Sequence, residues 1–234
     1  MDTYKTLREA AYEANLEIPR RNLAIYTWGN VSAFDAQKAV FAIKPSGVAY
    51  ENLRPEDMVV VDLEGKVVEG KLNPSSDTKT HMVLYRAFPQ LGGITHTHSP
   101  YAVAWAQARR SVPIFGTTHA DHGCREIPCT PLLSPEAVQR DYELETGHLI
   151  VSTLKQLELA VDDTTMILVA GHGPFTWGKT AAQSVYHGAV LEEICKMAIL
   201  TLTIKPIAEP LPEYIVKKHW ERKHGPGAYY GQKK

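Results

Sequence analysis

The sequence predicts a single α/β domain built on a mixed or antiparallel sheet. Two observations predict it. Four strand-like segments, at residues 23–28, 31–34, 40–43 and 58–61, follow one another with only Gly, Asn, Pro or Asp turns between them. That spacing leaves no room for the helical crossovers a parallel sheet needs. Helical periodicity near the start, in the middle and toward the end of the chain then supplies covering layers. At 234 residues, with no internal repeat or low-complexity linker, residues 1–234 read as one well-cored unit.

The elements follow in order. Residues 2–16 form an amphipathic helix, with Leu7, Ala10, Ala11 and Ala14 at helical spacing, and Ile18-Pro19 stops it. After the early strands, Glu64-Gly65 marks a hairpin turn between residues 59–63 and 66–69. Residues 78–88 form a helix opened by Ser76 or Asp77 as a cap. A strand over 93–98 precedes a short helix over 101–109, and 113–115 is strand-like. Ser134-Pro135-Glu136 is a strong helix start, and residues 137–158 are mostly helical with an interruption at Thr146-Gly147. A buried strand at 166–169 leads to a helix over 181–202, with Val185, Ala189, Ile194, Ala198 and Leu202 on one face. The tail from about residue 205 is Pro-rich and then basic.

Composition removes several function classes. Lys plus Arg total 25 and Asp plus Glu 26, a formal net charge of −1, so no broad basic field favours nucleic acid or an anionic membrane. The three cysteines (Cys124, Cys129, Cys195) form no C-x-x-C and fit a reducing compartment. No signal-type leader and no run of ~20 apolar residues is present, so the expectation is a cytoplasmic protein without a membrane partner.

The strongest chemical signal is Thr95-His96-Thr97-His98. In a strand, residues i and i+2 share a face, which brings two imidazoles together. His172, between Gly171 and Gly173, is a third candidate ligand, and Asp77 could add a carboxylate oxygen. Neutral imidazole suits Zn, Cu, Fe or Ni. Three histidines with one carboxylate fit a catalytic ion better than a closed structural site, for which Cys-rich sets are usual. His81 is assigned to the solvent face of its helix, and His148, His187 and His224 are left as structural.

Gly29-Asn30, Lys44-Pro45-Ser46-Gly47 and Pro74-Ser75-Ser76 are candidate anion cradles, since each offers backbone N–H groups, hydroxyls or an ammonium. Each alone is an ordinary turn motif, and their co-occurrence beside a metal site is what weighs. Asp121 is a general acid/base candidate if it is partly buried, although its local sequence favours a turn or cap. Tyr229-Tyr230 reads either as a fraying terminus or as a tail docked on a site.

Together these segments resemble the class II aldolase/epimerase family, and within it the 4-epimerases of L-ribulose 5-phosphate. The resemblance runs through Thr27-Trp28-Gly29-Asn30-Val31-Ser32, Ile43-Lys44-Pro45-Ser46-Gly47-Val48, Pro74-Ser75-Ser76-Asp77-Thr78, Thr95-His96-Thr97-His98-Ser99, Gly116-Thr117-Thr118-His119-Ala120-Asp121, His172-Gly173-Pro174-Phe175, Lys223-His224-Gly225 and Ala228-Tyr229-Tyr230-Gly231-Gln232. It implies a three-layer α/β/α subunit in a cyclic homotetramer, with the tail docking at a subunit interface. It implies zinc, or another divalent ion such as manganese, on His96, His98 and His172 with Asp77 close by. Substrate and phosphate contacts would come from Gly29, Asn30, Lys44, Ser46, Gly47, Ser75 and Ser76, with His219 and Arg222 approaching from the tail. Asp121 and Tyr230 match the acid/base pair, Tyr230 from an adjacent subunit. The implied reaction interconverts L-ribulose 5-phosphate and D-xylulose 5-phosphate in pentose catabolism, L-arabinose being one example, by retro-aldol cleavage and re-formation of the C3–C4 bond. A class II aldolase releasing dihydroxyacetone phosphate is the second reading. Asp77, where such aldolases typically carry Glu, and the Tyr-Tyr-Gly-Gln tail favour the first. The chain departs from the epimerase pattern at His122-Gly123-Cys124, directly after Asp121.

Overall fold

A computed structural model describes residues 3–225 and 227–229. Its centre is a seven-stranded sheet of β1 (Asn30–Asp35), β2 (Val40–Ile43), β3 (Val59–Asp62), β4 (Val67–Glu69), β5 (Gly93–His96), β6 (Met166–Val169) and β7 (Gly173–Gly178). The order is β4-β3-β2-β1-β5-β7-β6, and every neighbouring pair is antiparallel. The helices are α1 (Lys5–Arg20), α2 (Thr78–Ala87), α3 (Pro100–Ala108), α4 (Thr117–Ala120), α5 (Pro135–Gln156), α6 (Ala181–Ile204) and α7 (Glu213–His224).

Apart from the exposed edge strand β4, the strands are buried on both faces for most of their length, so the two alternating sets of side chains enter different cores. Phe41, Ile43, Val59, Val61 and Ile94 pack with Leu84 of α2 and Ile150 of α5 on one side. Val31, Ala33, Ala42 and Val60 pack with Ala11 and Ala14 of α1 and Val185 of α6 on the other. This is the three-layer α/β/α arrangement that the resemblance implies. Full burial of each Leu, Ile, Val or Phe side chain is worth roughly 1.5–3 kcal/mol, so these two apolar slabs dominate the stabilisation.

The structure corrects several local expectations. Residues 23–28 are not a strand. Asn22 and Tyr26 both have φ of 56°, and left-handed residues interrupt extended backbone. Residues 113–115 form no strand either, and pairing there is limited to a bridge between Val112 and Ile127. The strand from Gly93 stops at His96, two residues short. Pro19 lies inside the last turn of α1 rather than ending it. In α5 the non-helical residue is Asp141 (φ −172°, ψ 94°), not Thr146-Gly147. β7 and α7 were not anticipated, because Gly, Pro and charge at their starts read as loop. His81 is fully buried, its Nδ1 2.7 Å from Ser32 Oγ, which also meets the Tyr85 hydroxyl at 2.7 Å.

Candidate metal and phosphate site

Strand register assembles the site. β1 and β5 are neighbours, and Asn30 pairs directly with His96. Gly29, just before β1, has φ of 75°, and a Cβ there would lie 2.8 Å from the His96 carbonyl oxygen. A side chain is excluded by both conformation and contact, so the backbone can pass beside the histidines. A bridge between Pro45 and Pro74, with Ser75 N–H donating to the Lys44 carbonyl at 3.0 Å, joins the Lys44 and Ser75 loops.

His96 is buried, and its Nδ1 lies 2.9 Å from the Pro174 carbonyl oxygen. A carbonyl only accepts, so Nδ1 carries the proton and Nε2 keeps the lone pair. The His96 ring stacks on Phe175 at 4.4 Å. Ring centroids of His96, His98 and His172 are 4.7–5.2 Å apart, and their ligand nitrogens all lie within 4.8 Å of one another. Burial and the nearby His96 ring push the His172 pKa down to about 3 against the pull of Asp77, and the same two causes lower that of His98. Both rings are therefore neutral at pH 7, the form a metal ion requires.

Asp77 Oδ2 lies 4.0 Å from His96 Nε2 and accepts a 2.7 Å hydrogen bond from Asn30 Nδ2. Burial opposes its ionisation, but His96, His81, the Asn30 bond and His172 together hold its pKa below the usual carboxylate range. Asn30 Oδ1 is buried with no protein partner, an acceptor left for something else. The set of three imidazoles and a carboxylate fits a divalent ion with room for further oxygen ligands.

A cavity of about 560 Å³ opens over these groups. Gly29, Asn30, Lys44, Ser46, Gly47, Ser75, Ser76, Asp77, His96, His98 and His172 all line it, so the structure gathers eleven of the anticipated residues in one place. Lys44 is 2 % exposed, its Nζ donates to the Thr27 and Pro45 carbonyls at 3.3 and 3.4 Å, and it sits 5.0 Å from the Tyr50 ring centre. Burial pushes its pKa down to about 8. An ammonium held this way, among hydroxyls and turn N–H groups, is chemistry for a phosphate.

Asp121, His219 and Arg222 form a second cluster and do not line this cavity. Asp121 follows α4, is 7 % exposed, and accepts from Arg222 Nε at 2.8 Å, from Arg222 Nη2 and from His219 Nδ1 at 3.0 Å. Lys223 Nζ stands 3.7 Å away. Burial raises the Asp121 pKa, but the Arg222 and His219 bonds and the Lys223 charge hold it below the ordinary value. Tyr230 lies outside the described residues. Tyr142 and Glu143 also line the cavity and escaped the sequence reading. Their one signal was a polar pair inside a helical stretch, which periodicity alone assigns to solvent.

The Class II Aldolase and Adducin N-terminal domain model matches residues 9–199. The chain belongs to this family. Two curated relatives named L-ribulose-5-phosphate 4-epimerase UlaF, from Salmonella paratyphi B and Salmonella typhi, are each 52 % identical over 227 residues, covering 97 % of this chain and 99 % of theirs. Among solved structures, an L-fuculose 1-phosphate aldolase superposes with a TM-score of 0.75 at 23 % identity, covering 93 % of this chain and 95 % of its own. The L-fuculose 1-phosphate aldolase from Glaciozyma antarctica does so with a TM-score of 0.74 at 20 % identity, covering 93 % and 81 %. At such identities those two establish the class II aldolase fold. Among the described residues, no helix is long and apolar enough to cross a membrane.

Proposed function

We propose that this class II aldolase-family chain is a metal-dependent epimerase that interconverts L-ribulose 5-phosphate and D-xylulose 5-phosphate. One observation carries the reading. Likeness over 97 % of the chain to proteins named for that reaction coincides with a cavity lined by both metal-type ligands and a phosphate-type cradle.

The stereocentre that inverts, C4, is not adjacent to the C2 carbonyl, so abstraction of an α-proton cannot invert it. Cleavage of the C3–C4 bond can. The products are the enediolate of dihydroxyacetone and glycolaldehyde phosphate, and the bond re-forms on the other face of the aldehyde. A divalent ion on His96, His98 and His172, with Asp77 beside it, supplies Lewis-acid stabilisation of the charge that develops on the carbonyl oxygen. Lys44, Ser46, Gly47, Ser75 and Ser76, with Gly29 and Asn30, hold the phosphate while the aldehyde turns. Asp121 and Tyr230 carry the C4 hydroxyl proton, one on each face. Asp121 and α7 stand outside the cavity of their own chain. In this proposal the sites are completed between neighbouring subunits of a homotetramer, with Tyr230, His219 and Arg222 approaching from the tail. Zinc is the ion, with manganese the substitute, and the cytoplasm is the compartment.

The test is an assay of purified protein with L-ribulose 5-phosphate, with and without chelator. Formation of D-xylulose 5-phosphate that chelation stops, in protein whose circular dichroism is unchanged, is the expected result. Release of dihydroxyacetone and glycolaldehyde phosphate without D-xylulose 5-phosphate would overturn it in favour of an aldolase.

A further inference from the structure

The irregularity in α5 is a built feature. At Asp141 the helix breaks, and two contacts pin the break to the first turn of α2, which begins next to Asp77. Lys79 Nζ donates to Asp141 Oδ2 at 2.6 Å, and Thr80 Oγ1 donates to the Glu143 carbonyl at 2.6 Å. Asp141 Oδ1 restarts the helix by accepting from Leu144 N–H at 3.2 Å. Thr146 Oγ1 adds a bond to the Tyr142 carbonyl at 2.7 Å. A regular helix would need none of these. Their combined effect is to hold Tyr142 over the cavity, with its hydroxyl 3.3 Å from Nδ1 of His172 and its ring 5.9 Å from the imidazole.

We infer that Tyr142 is a positioning residue for the metal site, its hydroxyl accepting from His172 Nδ1–H so that Nε2 faces the ion. This rests on the metal-site reading above. His172 lies in the turn between β6 and β7 rather than within a strand, and the Tyr142 hydroxyl gives its ring a polar partner. His96 already has one in the Pro174 carbonyl, and the two histidines are oriented by equivalent means. Outer partners of this kind typically contribute 10–100-fold to metal affinity.

The experiment uses metal-stripped full-length protein titrated with cobalt(II), read by its visible absorption, on the native chain, Tyr142→Phe and Lys79→Ala. Expected are about tenfold or greater weakening for Tyr142→Phe, with altered cobalt bands, and a smaller weakening for Lys79→Ala, which loosens the kink without touching the histidine. The melting temperature of metal-free Tyr142→Phe should match the native chain. Equal affinity and equal spectra in native and Tyr142→Phe protein would overturn the inference and leave the metal reading standing. Weakening matched by a lower metal-free melting temperature would also overturn it, as simple loss of packing. A native chain that binds no cobalt would overturn both.

Discussion

Asp77 Oδ2 lies 4.0 Å from Nε2 of His96, too far for a hydrogen bond and close enough for the two to face one ion. The carboxylate is held there by Asn30 rather than by a histidine. Asp77 is thus a carboxylate supported from outside the imidazole set. Asp77→Asn keeps the size and removes the charge. Metal content should fall only modestly, whereas turnover should fall by about 10²-fold or more, as for loss of a group that stabilises developing charge. Unchanged kcat with full metal content would remove Asp77 from the chemistry.

Lys44 gives a pH signature. Its pKa of about 8 lies below the ordinary value of 10.5, and the cause is burial. Below about pH 8 the free protein presents an ammonium to the phosphate, and above it a neutral amine. The ratio kcat/KM for the phosphorylated substrate should therefore fall above pH 8, approaching tenfold per unit, through KM more than kcat. Between pH 8 and 10.5 the unfolded chain binds the extra proton, so stability from this group rises with pH across that window. Lys44→Met should abolish the alkaline limb, raise KM and leave the melting temperature at neutral pH no lower than native. A native profile that stays flat to pH 10 would contradict the assignment.

Gly147 shows how a sequence signal can be sound and its interpretation wrong. A glycine in α5 reads as a helix interruption. In the structure it sits within regular helix against α2, where a Cβ would lie 2.7 Å from Val83 Cβ and 3.1 Å from the Thr80 carbonyl oxygen. Its role is close approach of two helices, invisible to local propensity. Gly147→Ala should destabilise the fold by about 1–3 kcal/mol through overpacking, seen as a lower denaturation midpoint with unchanged slope. A midpoint equal to or above native would mean that the α2–α5 contact yields easily.

The same limit explains what was and was not legible elsewhere. The H-x-H pair, His172 and the three turn motifs were readable because each carries its chemistry in two to four consecutive residues. β2 and β6 were readable because continuous apolar runs announce buried strands. The burial of His81 is hidden from local periodicity because it depends on Ser32, on strand β1, as well as on Tyr85, one turn along α2. Tyr142 was missed because its value comes from a kink pinned by Lys79 and Thr80, some 60 positions away. β7 was missed because His172-Gly173-Pro174 punctuates like a loop, while the tertiary fold needs a strand between β5 and β6 there.

The Asp121 cluster supplies the last prediction. A carboxylate bound to Arg222 and His219 and faced by Lys223 is ionised at neutral pH and held in one orientation. Neutralising it takes the shared counter-charge away from Arg222 and Lys223, so Asp121→Asn should both slow turnover and loosen α7 against the domain. Tyr230→Phe removes only a hydroxyl and should leave α7 in place. It should retain full metal content and slow turnover by ~10²–10⁴, the usual weight of one acid/base group. Proteolytic sensitivity of the tail separates the two: raised in Asp121→Asn, native in Tyr230→Phe. A Tyr230→Phe protein with native turnover would take that residue out of the mechanism and leave the second proton transfer to a group in the cavity itself.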